Sequence, residues 1–220
     1  MELKYKNWKE ITINVYQRLV DAVNSVEITD DETLNNINKE IAMLAVLCEC
    51  DEDEIAGISK NEFIRLSNES NFLSEMPKVK ITDKYVINGK KYEVFLSLRD
   101  MNMSQYIDFQ TFYKDTNKYF KELLAIFLLP VGKKYGDGYN IEEVIDDIGN
   151  HLSIVDANSI LFFFVIAYRS LTKVMLNYSI KQMKKAMKKE KNLEKKQMIQ
   201  KAIEETKKAM NLAENGIGYF

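Results

Sequence analysis

The sequence predicts a mainly α protein, a helical bundle with a small β-hairpin insertion and a long basic C-terminal helix. Three observations predict it. The 220 residues include only 8 Gly and 2 Pro, too few for a turn-rich β-sandwich or a disordered linker protein. Apolar residues recur at helical spacing along most of the chain. The clear departure is an alternating stretch around Asn88-Gly89, a dipeptide whose residues both suit the positive φ of a tight hairpin turn. Apolar residues make up 46% of the chain and charged residues 29%, so a chain of this length can bury a sizeable core.

The first helix follows Ile11-Thr12-Ile13, with Thr12 as its cap and Tyr16, Leu19, Val20 and Val23 at helical spacing. Thr29-Asp30-Asp31 opens a second, whose apolar stripe is Leu34, Ile37, Ile41, Leu44, Ala45 and Cys48. Asp51 starts a short helical turn that Gly57 ends. Ser59-Lys60-Asn61-Glu62 has the capping-box pattern, and the helix it starts carries Phe63, Leu66 and Phe72-Leu73 before Pro77. Residues 1–76 thus read as an acidic helical subdomain.

The period then changes to two. Val79, Ile81, Tyr85, Ile87, Tyr92, Val94 and Leu96 alternate with mostly polar residues, which predicts a hairpin within 77–99 and a third strand over Lys78–Thr82. An isolated hairpin is marginal, so this one is expected to pack on helices or to extend a partner's sheet.

Residues 100–180 read as an aromatic-rich helical core. Ser104 is placed to cap a long helix bearing Tyr106, Phe109, Phe112, Tyr113, Tyr119, Phe120, Leu123, Leu124 and Phe127, ended by Leu129-Pro130. Asn140 caps the next helix, with Ile141, Val144, Ile145, Ile148 and Leu152 on one side. Asp156 is placed to cap the following one. Its run Ile160 to Ala167 (ILFFFVIA) is apolar nearly all round, which predicts a central buried element. The pattern continues through Leu171, Met175, Ile180 and Met183 into a basic C-terminal helix over 181–220, with a bend where the stripe fails across Lys188 to Asn192.

Charge is divided unevenly. From Val26 to Glu75 there are thirteen acidic residues against Lys39, Lys60 and Arg65; from Lys181 to Lys208 there are eleven Lys against four Glu. Such runs form solvated helix faces, and they also suit docking to a surface of opposite charge. The start, MELKYKNWKE, has no apolar core of signal-peptide type, and ILFFFVIA is far short of the roughly 20 residues that span a bilayer. A cytoplasmic chain without a membrane partner is therefore expected.

Chemistry is poorly signposted. The glycine-rich loop Gly132–Gly138 lacks the phosphate-binding pattern and reads as a turn between helices. Asp51–Glu54 lacks the glycine and distal glutamate of a calcium loop. Glu142, Glu143, Asp146 and Asp147 lie opposite an apolar stripe and are expected to be exposed. Cys48 and Cys50 are spaced C-x-C, not as the C-x-x-C of zinc or redox sites; Cys48 and the single histidine, His151, have no nucleophile signature around them. No enzymatic activity, cofactor or metal is expected.

Four stretches carry a resemblance: LAVLCECDEDEIAGISKNEFIRLSNESNFL (44–73), KYVINGKKYEVF (84–95), SQYIDFQTFY (104–113) and LLAIFLLPVGKKYGDGY (123–139). In this order, with a terminal apolar helix, the chain resembles tail-assembly-chaperone-like and neighbouring virion-assembly proteins of tailed bacteriophages of gut Bacteroidetes, including the crAss-like group. The resemblance covers residues 10–175, with INGKKYEV and SQYIDF as its most specific pieces. It implies a non-enzymatic morphogenesis protein of the host cytoplasm or the virion. Such a protein binds tail, portal or neck components in many copies and forms homo-oligomers. The residues expected to bind partners are Tyr85, Ile87, Tyr92 and Val94 at the hairpin rim, and Lys184, Lys188 and Lys195 on the basic helix. The alternative is nucleic-acid binding through that lysine-rich helix.

Overall fold

A computed structural model describes residues 1–215 except 79, 96, 98, 99 and 117; the side chains at 165, 169–172 and 209–215 are also outside the description. The expected strand residues Val79 and Leu96 and the side chain of Leu171 therefore lie outside the described residues. The fold is mainly α with one small antiparallel sheet. It divides into two compact units, residues 1–161 and 162–220.

In the first unit, α1 (Ile13–Ser25) starts at Thr12, whose hydroxyl accepts from the Val15 N–H. Helix α2 (Glu32–Cys48) starts at Asp31 and packs against α1. Asp51 and Glu54 form a reciprocal capping box on α3 (Glu52–Ala56). Ser59 caps α4 (Lys60–Glu69) through the Glu62 N–H, but the Glu62 carboxylate is turned to Arg65 and the N-terminal ammonium, so the second half of that expected box does not form. Trp8 closes this region: its indole N–H donates to the Glu75 carbonyl at 2.9 Å, and its ring meets the edge of Phe72.

The hairpin forms as β1 (Lys84–Ile87) and β2 (Lys90–Val94), paired with Tyr85 opposite Tyr92. Asn88 and Gly89 have φ of 49° and 70°, the two positive angles that this turn requires. The third strand is not Lys78–Thr82 but β3 (Leu128–Pro130), which pairs with β2. Leu128 and Leu129 are buried, whereas Lys80 and Thr82 are solvent-exposed; the apolar segment gains more from joining the sheet.

The expected long aromatic helix is two helices, α5 (Met103–Phe112) and α6 (Phe120–Phe127). Asp115 ends the continuity by accepting from the Lys118 N–H, a side-chain bond that competes with helix. Asn102, not Ser104, caps α5, its side chain accepting from the Gln105 N–H at 2.8 Å. Helix α6 supplies the densest part of the core: Phe120 and every residue from Leu123 to Phe127 are buried. Helix α7 (Ile141–His151) packs on α1 and α6. A Cβ on Gly149 would stand 2.9 Å from the Asn14 carboxamide oxygen and 2.9 Å from the Lys121 Cδ, so a larger residue there would have to displace these two side chains.

Helix α8 (Ile154–Lys189) starts beside the N-terminal segment, with the Ile154 N–H bonded to the Ile11 carbonyl at 2.8 Å. Its cap is Ser153 rather than Asp156: the Ser153 hydroxyl accepts from the Asp156 N–H and donates to its carboxylate. Ile154, Val155, Ala157, Ile160, Leu161 and Phe164 are buried. Beyond them the expected all-round burial fails, since Phe162, Ile166, Val174, Met175 and Tyr178 are exposed.

The second unit takes in α8 from Phe162 onward; α8 stops at Lys189 and α9 (Leu193–Asn215) follows, capped by Asn192. This break matches the failure of the apolar stripe. Ile180 on α8 and Ile203 on α9 are buried, while most lysines on both helices are exposed.

Candidate functional site

The hairpin is fastened to α7 by a buried carboxylate. Asp147 is 5% exposed and accepts three bonds: from Asn88 Nδ2 at 2.8 Å, Lys90 Nζ at 2.7 Å and Tyr92 OH at 2.8 Å. Lys90 also reaches Glu143 at 2.6 Å. Burial by itself would raise the Asp147 carboxyl, but the bonds from Lys90, Asn88 and Tyr92 outweigh it and hold the group below its ordinary value. The Tyr92 hydroxyl is pushed up, first by burial and then by its bond to Asp147. Asp147 was expected on a solvated face with Glu142, Glu143 and Asp146. Only those three are exposed. Every donor facing Asp147 comes from the hairpin turn and β2, and helical periodicity on α7 gives no sign of them.

Three of the four hairpin residues expected to bind partners are buried by this packing. Ile87 and Tyr92 are each 1% exposed and Val94 8%, so their side chains fill the core rather than a solvent-facing rim. Tyr85 is half-buried. The sheet order β1-β2-β3 places β2 in the middle, so Tyr92 and Val94 are not on an edge. Among the described residues, the backbone edge of β1, beside the exposed residues Lys84 and Val86, has no strand partner on its outer side. Exposed lysine on so short an edge opposes indiscriminate strand pairing.

The other three expected residues, Lys184 and Lys188 on α8 and Lys195 on α9, are exposed. The structure adds an apolar component that the charge pattern concealed. Within the second unit, 11 and 14 residues along α8 from Phe164, three and four helical turns, lead to Met175 and Tyr178, with Val174 beside them. The stripe is buried at its start and exposed, by 60% or more, at those three positions. Leu193 and Met198 on α9 are each 71% exposed. By length and composition α8 also meets the requirement for crossing a membrane, with a window of mean hydropathy 1.6 that is 23% buried. Arg169 and Lys173 interrupt its apolar run.

The residues weighed for chemistry are dispersed. Cys48, at the end of α2, is buried, and its thiol is pushed up to about 11 by burial and then by Cys50. The charged groups acting on it are the Met1 ammonium and Arg65, not His151, which is exposed at the end of α7. Among the described residues, no three His, Cys, Asp or Glu side chains converge as a metal site. The 132–138 loop is a turn with Gly132, Gly136 and Gly138 at positive φ. It is tied to α5 by the Tyr135 hydroxyl, which donates to Asp108 at 2.8 Å.

Comparison with known proteins identifies no relative: no family model, no curated protein and no solved structure matches this chain.

Proposed function

We propose that this chain is a non-enzymatic phage morphogenesis protein that binds tail, portal or neck components in multiple copies. The observation that carries the reading is the core stripe of α8 continuing past its buried part as exposed Val174, Met175 and Tyr178, with lysines following from Lys181. Exposed apolar surface rimmed by charge is what a partner covers. The open edge of β1 offers a second mode of contact, strand addition. The phage assignment itself rests on the sequence resemblance.

The test uses the full chain, co-expressed with virion proteins from the same genome. Self-association in sedimentation and stable capture of a tail, portal or neck protein are expected. Val174→Glu with Tyr178→Glu is expected to abolish both while the first unit stays folded. A chain that neither self-associates nor binds any virion protein overturns the proposal. Mass spectrometry of purified particles separates a retained component from a transient chaperone.

The exposed lysines of α8 and α9 favour one second reading, nucleic-acid binding. Its mark is an affinity that falls steeply with salt, with a log–log slope of about 0.9 per phosphate contacted. It is lost if Lys184→Glu, Lys188→Glu and Lys195→Glu together leave binding unchanged.

A further inference from the structure

Three sulfur atoms from two separate segments meet at the end of α2. Cys48 is the last residue of that helix, and Glu49 after it adopts the left-handed conformation, φ 54° and ψ 49°. Glu49 is one of two non-glycine residues at positive φ among those described. The turn is fixed by N–H bonds from Glu49 to the Ala45 and Val46 carbonyls and from Cys50 to Ala45. It brings Cys50 back beside Cys48, close enough for the two thiols to act on one another. The Cys50 thiol in turn faces the Met1 thioether at 3.9 Å.

The third sulfur is held in place independently. The Met1 ammonium bonds Glu62 at 3.2 Å, and Arg65 donates to the Met1 carbonyl. Leu3 is buried, and the Lys4 N–H donates to the Leu47 carbonyl at 2.9 Å. We propose that Cys48, Cys50 and the Met1 thioether form a site for one soft monovalent cation, Cu(I) or its surrogate Ag(I).

The donor set decides the class. Thiolate and thioether ligands select soft ions. Ligands at about 2.3 Å from a metal in a trigonal arrangement stand about 4 Å apart, the spacing already present between Cys50 and Met1. A four-coordinate divalent ion would need more donors. The carboxylates acting on Cys50, those of Glu54 and Asp51, are engaged in their capping box. Binding displaces the two thiol protons to solvent; the ion arrives as Cu(I), so no electron is transferred. Two thiolates and one cation leave a single negative charge, which the Met1 ammonium and Arg65 favour at Cys48 and Glu54 and Asp51 oppose at Cys50. The bound ion would clip the N-terminal segment to α2.

The test is an anaerobic titration of the full chain with Cu(I) against bathocuproine disulfonate. The folded chain is expected to hold one Cu(I), roughly tenfold more tightly than Cys50→Ser, Cys50→Ala or the wild-type chain unfolded in urea, because the folded site is preorganised. Cys50 is only partly buried, and circular dichroism checks that both variants keep their helices. In chain labelled with selenomethionine, copper-edge absorption is expected to give one copper–selenium and two copper–sulfur paths. Equal retention by the unfolded chain or by either variant overturns the proposal, as does an edge spectrum without selenium.

Discussion

Replacing Asp147 by Ala is the sharpest probe of how the hairpin is attached. The substitution removes the acceptor of three bonds and leaves the Tyr92 hydroxyl, on a side chain 1% exposed, without its partner. An orphaned buried donor costs about 1–3 kcal/mol, and the truncated side chain leaves a small void in addition. Lys90 is 45% exposed and can turn to water or keep Glu143, so its ion pair adds little. The expected loss is about 3 kcal/mol, or a fall in Tm of about 6–12 °C for a chain of this size. Urea and thermal unfolding followed by circular dichroism read it directly. Tyr92→Phe alone should cost about 1 kcal/mol, and Tyr92→Phe added to Asp147→Ala should recover part of the larger loss, since the donor left stranded is then absent. A loss under about 0.5 kcal/mol for Asp147→Ala would refute the reasoning, because it would mean the carboxylate holds nothing that water cannot replace.

Three further outcomes follow from the same physics. Stability should decline in acid: Asp147 is held below its unfolded value, so its contribution is complete above about pH 4 and is lost as pH falls through the lowered value. Glu62, lowered to about 2 by Arg65 and the N-terminal ammonium, acts in the same direction; Asp147→Asn should flatten the pH profile of urea midpoints. Gly89→Ala should destabilise by about 1 kcal/mol, since φ there is 70° and an added Cβ meets no neighbour, leaving backbone strain as the whole effect; an unchanged Tm contradicts this. Thiol labelling at pH 8 should run in two phases, Cys50 first and Cys48 much later, because Cys48 is buried and its thiol is raised to about 11; a single fast phase counting two thiols would be the contrary result.

The local parts of this fold were readable in order along the chain. Thr12, Asp31, Asp51, Ser59 and Asn140 act as caps because an Asx, Ser or Thr side chain reaches only two or three residues ahead. The hairpin turn was legible for the same reason, since positive φ at two consecutive positions selects Asn-Gly within four residues of sequence. The break after Lys189 appeared as a lapse in one helix's own period. Each of these depends on neighbours within a turn or two.

Features decided by distant pairs could not be read this way. Leu128–Pro130 joined the sheet because β2, more than thirty residues earlier, offered an unpaired edge next to the core. Asp147 became buried because Asn88, Lys90 and Tyr92 brought donors from across the fold; on its own helix it is one acid among four. For the same reason the side chains of Ile87, Tyr92 and Val94 went inward, where their alternation alone could not say which face would be covered. Helical period tells which residues share a side, and the amino-acid sequence settles that unaided. What lies against that side is a property of packing, and it is packing that buries α8 at Phe164 and leaves Tyr178 open to solvent.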